Sequence, residues 1–154
     1  MSPTSTDRIE KKILLKSPRG RVWRALTDVK ELGEWFGFKA QGSLTPGGRV
    51  HGRVVHKGYE HLTMEITIER MEPERLVSWR WHPHAVEAGV DYSHEPTTLV
   101  VFELKEVPEG TLLTVVESGF DGIPLARRAN AYRMNDEGWA AQMKAIEQHL
   151  AKVS

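Results

Sequence analysis

The chain has no cysteine among its 154 residues. Disulfides, thiolate catalysis and cysteine-bound metals are therefore excluded. It has no excess of either charge, with 21 Lys and Arg against 21 Asp and Glu. No net field draws it to nucleic acid or to an anionic membrane. It has no apolar run of the ~20 residues that a membrane helix needs. Met1–Asp7 is a polar tail without the apolar stretch of a secretory signal. No repeat, low-complexity tract or linker is present. One domain covering 1–154 is expected, in the cytoplasm. A phosphate-cradling loop is missing too, because Gly47-Gly48 sits in a hairpin and not between a strand and a helix. There is no nucleophile-elbow serine, and no motif calls for a cofactor.

Periodicity carries the fold. Ile9, Ile13 and Leu15 alternate with Glu10, Lys12 and Lys16, which predicts a half-buried strand. Ser17-Pro18 reads as a helix start, with Ser17 as the cap, and Val22, Trp23 and Leu26 form its apolar stripe. Asp28 caps a second short helix in which Leu32, Trp35 and Phe36 share a face, and Gly37 ends it. Strands are expected at 38–44, 49–56, 62–69, 77–81, 97–107 and 111–118. The alternation of Leu62, Met64, Ile66 and Ile68 with threonines and glutamates is the clearest strand signal. The period then changes: Trp139, Met143, Ile146 and Leu150 recur at helical spacing. A long helix is predicted from near Pro124, with a weak point or break near Gly138. Its stripe must cover the dry face of the sheet, the only large apolar surface on offer.

The turns alternate in length. Pro46-Gly47-Gly48, Pro73-Glu74 and Pro108-Glu109-Gly110 are tight. Between them come Lys57–Glu60 and the long stretch His82–Pro96. In an antiparallel meander every second turn lies at the same end, so one end is closed and the other open. The open end should be ringed by 57–61, 82–96 and 119–125, with His82–Pro96 as a lid.

Ser17-Pro18, Val22 to Asp28 and Trp35-Phe36 resemble the opening of the START-like helix-grip (SRPBCC) superfamily. Pro46-Gly47-Gly48, Pro73 to Val77, Gly110 to Thr114, Ser118-Gly119-Phe120 and Gly138-Trp139 follow the same pattern. The nearest branch is the C-terminal domain of activators of the ninety-kilodalton heat-shock-protein ATPase, and the likeness runs from Ile9 to Leu150. It implies an α+β fold: a curved antiparallel seven-stranded sheet gripping a long C-terminal helix, two short helices after the first strand, and a cavity between sheet and helix. Superfamily members include lipid carriers, hormone receptors, polyketide cyclases and co-chaperones.

The candidate ligand-binding residues are Trp35, Phe36, His51, Arg53, Met64, Trp79, Trp81, Phe102, Glu117, Phe120, Trp139 and Met143. The aromatic and Met side chains would form an adaptable apolar wall, though each is also a natural core residue. His51 and Arg53 share a strand face that could enter the cavity. Glu117 faces the interior if Leu113 and Val115 do, yet Leu112, Thr114 and Val116 form an equally apolar alternative face. An interior carboxylate needs partners. His82, His84, His94 and Glu95 offer metal-ligand types, but Pro83 holds the first pair extended and their rings apart, so no metal is expected. Arg127-Arg128 reads as a solvated first turn of the last helix. The resulting expectation is a binder of a hydrophobic, lipid-like or aromatic small molecule, not an enzyme. The alternatives are a module that binds a chaperone or another protein, and a cyclase- or hydratase-type enzyme using a cavity carboxylate or histidine.

Overall fold

The computed structural model describes residues 7–83 and 91–153. The elements run β1 (Arg8–Leu15), α1 (Arg19–Thr27), α2 (Val29–Phe36), β2 (Gln41–Gly42), β3 (Arg49–Arg53), β4 (Thr63–Glu72), β5 (Leu76–Trp81), β6 (Thr98–Val107), β7 (Gly110–Ser118), a single 3-10 turn (Phe120–Gly122) and α3 (Leu125–Val153). All seven strands form one sheet in the order β1-β7-β6-β5-β4-β3-β2. Every pairing is antiparallel. The first strand crosses the sheet to pair with the last, from Arg8↔Ser118 to Leu15↔Thr111. A bulge between Ile68 and Arg70 on β4 adds local bend and twist.

Alternation decides the two faces. Val77 and Trp79, then Val100, Phe102 and Leu104, then Leu113, Val115 and Glu117 are all buried. The face of β7 left open by its sequence is thus the one carrying Glu117. Helix α3 lies against this inner face along its predicted stripe, with Trp139, Met143, Ile146 and Leu150 buried. Each such side chain contributes about 1.5–3 kcal/mol on full burial. The helix runs unbroken through Gly138, where a Cβ would meet nothing within 4 Å. Of the weak point or break expected there, the break does not occur. A mid-helix glycine weakens the helix by roughly 1 kcal/mol relative to alanine, which the packing of α3 on the sheet overrides.

Local chemistry at the N-terminal helices differs in one detail. Pro18, not Ser17, is the N-cap of α1, and no side chain caps it. Ser17 is buried, and its carbonyl accepts from Thr111 Oγ1 at 2.8 Å. Asp28 caps α2 as expected, accepting from the backbone N–H of Lys30 and Glu31 at 3.0 and 3.1 Å. The expected strand 38–44 contracts to Gln41–Gly42 with a lone bridge Phe38↔Val54. Here the backbone bends, and Ala40 N–H turns back onto Phe38 O at 2.9 Å instead of joining a ladder.

One carboxylate ties the three helices together. Glu31 on α2 meets Arg21 Nη2 at 2.9 Å and Arg24 Nε at 2.7 Å from α1, and His149 Nε2 at 2.9 Å from α3. Burial by itself raises the Glu31 carboxyl, but hydrogen bonds from His149, Arg24 and Arg21 outweigh it and bring it down to about 2. The knot fixes α2 against α3, and α2 ends at Phe36, where the site begins.

Candidate functional site

Gly37 closes α2 with φ 104°, a conformation open to glycine and strained for other residues. A Cβ there would stand 2.2 Å from His56 Nε2. This close approach lets the segment after β3 fold over the end of α2. His56 Nε2 lies 3.3 Å from Phe36 O, and Gln142 Nε2 of α3 donates to the same oxygen at 2.9 Å. The end of α2 is thereby fastened to both walls of a cavity of about 570 Å³.

The cavity is lined by Phe36 from α2, Val54 and His56 after β3, Tyr59 and Leu62 from the next turn, and Thr63, Met64 and Glu65 from β4. Trp81 and His82 come from the end of β5, Tyr92 and Ser93 from the following loop, and Met134, Asn135 and Gln142 from α3. A smaller space of about 110 Å³ adjoins it, sharing Phe36, Trp81, Asn135 and Gln142 and adding Gly138 and Trp139. Both longer turns thus contribute to the lining. Arg127 at the start of α3 pairs with Glu95 at 2.7 Å and stacks over Tyr92 at 4.7 Å. It is a clamp on the loop wall, which corrects its expected role as a solvated helix turn.

Behind the cavity stands an aromatic cluster centred on Phe36. Its ring meets those of Trp35, Phe38, Trp79, Trp81 and Trp139 edge-on, at 5.4, 6.0, 6.1, 5.9 and 5.8 Å. Phe102 completes the cluster against Trp79 and Trp139 at 5.0 and 5.7 Å. Such pairs favour a rigid wall. Trp79 Nε1 is buried there with no hydrogen-bond partner.

Below the cluster lies Glu117, fully buried. Its Oε2 accepts from Trp81 Nε1 at 2.7 Å and Thr98 Oγ1 at 2.5 Å. Its Oε1 accepts from Trp139 Nε1 at 2.8 Å. Asn135 Nδ2 reaches both oxygens, at 2.9 and 3.1 Å. Among the described residues no Lys, Arg or His pairs with it. Two indoles and an amide NH2 can only donate, and a carboxylate can only accept. Neutral donors thus replace the hydration that burial removes. Three of the four donors, Trp81, Asn135 and Trp139, themselves line the cavity or its side space. Glu117 therefore sets the orientation of the wall and is not itself among the lining residues.

The twelve candidate residues divide accordingly. Phe36, Met64 and Trp81 line the cavity, and Trp139 lines the side space. Glu117 positions that wall. Trp35, Trp79, Phe102 and Met143 are buried behind it, and Trp35 Nε1 is engaged with Ala25 O at 2.8 Å. Three expectations are corrected by the direction of the side chains. Val50 and Gly52 form the buried face of β3, so His51 and Arg53 point outward, and Arg53 Nε donates to Glu60 O at 2.8 Å. Phe120 is buried against Tyr132 at 5.2 Å. The 119–125 turn does not line the cavity, because Asp7 pins it through the N–H groups of Gly119 and Asp121.

The histidines do not converge. His82 Nε2 faces Glu95 O at 3.0 Å, while His94 is exposed beside Asp91. His84, like most of the middle of the expected lid, lies outside the described residues. Among the described residues no three His, Asp or Glu side chains are grouped as for a metal ion. Asn135 and Gln142 were not singled out from sequence. The signal was there: Asn135 stands four residues before Trp139 and extends the apolar stripe of α3 with a polar residue.

The sequence matches the family model described as Activator of Hsp90 ATPase homolog 1-like protein over residues 16–151. No curated protein matches the chain. Solved structures do. Protein MLL2253 of Mesorhizobium loti is similar with 23% identity and TM-score 0.75, over 96% of this chain and 98% of that one. The Aha1 dimer of Colwellia psychrerythraea has 18% identity and TM-score 0.67, over 91% and 92%. DynU16, from the dynemicin biosynthetic locus, has 25% identity and TM-score 0.71 over 94% of this chain and 47% of its own.

Proposed function

The chain belongs to the Activator of Hsp90 ATPase homolog 1-like family, and from that footing we propose that it binds a hydrophobic small molecule in the cavity beside α3. The observation that carries this reading is the cavity itself. Its volume of about 570 Å³ falls in the ~300–1,000 Å³ range of ligand pockets. Its apolar part comes from Phe36, Leu62, Met64, Trp81, Tyr92 and Met134, with a few amides and imidazoles among them. Removing apolar ligand surface from water supplies about 25 cal/mol per Å². The pre-set wall around Glu117 limits the ordering cost of binding.

Glu117 argues for binding over catalysis. A general acid or base must reach the substrate proton, and this carboxylate is spent on four donors of its own. The test is intrinsic fluorescence, since Trp81 lines the cavity. Palmitate, cholesterol and a hydroxyflavone are titrated into the protein. At least one should change the emission saturably, and Trp81→Phe should remove most of that change. No saturable response to any of the three overturns the reading.

A partner-binding module is the second reading. One similar protein is a dimer, and Leu125, Val55, Tyr59 and Leu14 are exposed large apolar side chains. They are spread over α3, the turn after β3, and β1 instead of forming one patch, which places this reading behind the first. Sedimentation velocity tests it: a monomer at high micromolar concentration removes self-association from consideration.

A further inference from the structure

The amides and imidazoles of the cavity carry unused acceptors. Asn135 Nδ2 is committed to the Glu117 carboxylate and Gln142 Nε2 to Phe36 O. Both partners can only accept, so the orientation of each amide is dictated. Asn135 directs its NH2 at both carboxylate oxygens, Gln142 keeps one N–H beyond its bond to Phe36 O, and among the described residues neither side-chain carbonyl oxygen has a donor. The imidazoles repeat the pattern. His56 Nε2 faces Phe36 O and His82 Nε2 faces Glu95 O. Backbone carbonyls only accept, so in the neutral ring Nε2 carries the proton and Nδ1 is left as an acceptor. Among the described residues no Lys or Arg lines either space. Beside the hydroxyls of Tyr59, Thr63, Tyr92 and Ser93, which can serve in either sense, and the Glu65 carboxylate, the lining therefore offers acceptor atoms on these four residues and, among the described residues, no fixed cation.

Resting on the proposed small-molecule reading, we infer that the occupant is an uncharged aromatic compound that donates hydrogen bonds, such as a phenol, and that Asn135 and Gln142 of α3 receive its O–H. A carboxylate head group, as on a fatty acid, would bring an anion to a surface that already carries Glu65, with no Lys or Arg among the described lining residues to meet its charge. Desolvating such an anion without a partner is unfavourable. The two amides are seven residues apart on α3, about 10 Å along the axis. They span the cavity and its side space, so the donor group can be met at either end.

Three ligands of one shape test this at pH 8: 4-hydroxybiphenyl, 4-methoxybiphenyl and biphenyl-4-carboxylate, followed by tryptophan quenching. The phenol is expected to bind about 10-fold more tightly than the ether, the worth of one hydrogen bond, and at least as far ahead of the carboxylate. Gln142→Lys keeps a donor for Phe36 O but exchanges the spare acceptor for a cation. It should reverse the order of phenol and carboxylate. If the carboxylate binds wild-type protein as well as the phenol does, the inference fails while the small-molecule reading stands. An unchanged order in Gln142→Lys also overturns it. If none of the three binds, and palmitate, cholesterol and the hydroxyflavone are equally inert, both fall together.

Discussion

Glu117→Gln is the smallest change that probes the centre of the site. The side chain keeps its shape, but one oxygen becomes an NH2. If Oε1 is replaced, the new amide points at the Trp139 N–H; if Oε2 is replaced, it points at the N–H of Trp81 and at Thr98. Thr98 can rotate to accept and Asn135 can turn its amide, but an indole N–H cannot change its sense. At least one buried indole donor is left without a partner, at a cost of about 1–3 kcal/mol. The surviving hydrogen bonds also lose their charge assistance, worth ~1–2 kcal/mol together. Release from burying a charge works the other way. The net loss is about 3 kcal/mol, a large share of the ~5–15 kcal/mol that holds a domain together. Urea unfolding should show a lower midpoint with an unchanged slope, and Tm should fall by roughly 6–12 °C. Glu117→Leu leaves both indoles unpaired and should cost more. A Gln variant within ~0.5 kcal/mol of wild type would refute the reasoning, because the donors would then not depend on the carboxylate.

Three further outcomes follow from the same geometry. The Glu31 carboxyl is lowered in the folded state from 4.5 to about 2, so its contribution is complete above pH 4.5 and is lost as pH falls towards 2. This amounts to about 3 kcal/mol, and Glu31→Gln should flatten the acid limb of the stability profile measured by urea unfolding across pH 2–5. Gly138→Ala adds a methyl group into open space on α3 and should raise Tm by about 2–4 °C in a thermal scan; a lower Tm would show that the position is constrained. Gly37→Ala forces a strained backbone and a clash with His56. It should destabilise by more than ~1 kcal/mol in urea unfolding and weaken quenching by any cavity ligand.

Much of the fold was legible because it rests on period and punctuation. The alternation in 62–69 and the stripe Trp139, Met143, Ile146, Leu150 each require one kind of element. The unequal turns pointed to two segments that line the cavity, 57–61 and 82–96, but also to 119–125, which does not. The site was harder to read for physical reasons. On β7 both faces are nearly equal in apolarity, and the choice is made by donors from β5, β6 and α3 that converge on Glu117 only after folding. His51 and Arg53 were misplaced because Gly52 carries no hydrophobic signal, yet it is the residue that faces in, with Lys39 O 1.9 Å from where a Cβ would be. The role of Arg127 depends on Glu95 and Tyr92, some thirty residues away. Asn135 and Gln142 were overlooked because a polar residue on a helix reads as solvated until the neighbouring carbonyl or carboxylate is in view.

The most direct test of the cavity as a binding site is the indole region of a ¹⁵N–¹H correlation spectrum, where five tryptophans give five resolvable signals. On titration with 4-hydroxybiphenyl, the Trp81 and Trp139 signals should move saturably, while those of Trp23 and of Trp35, held on Ala25 O, stay in place. Saturable shifts confined to Trp23 and Trp35, or five unmoved signals at millimolar ligand, would contradict the account.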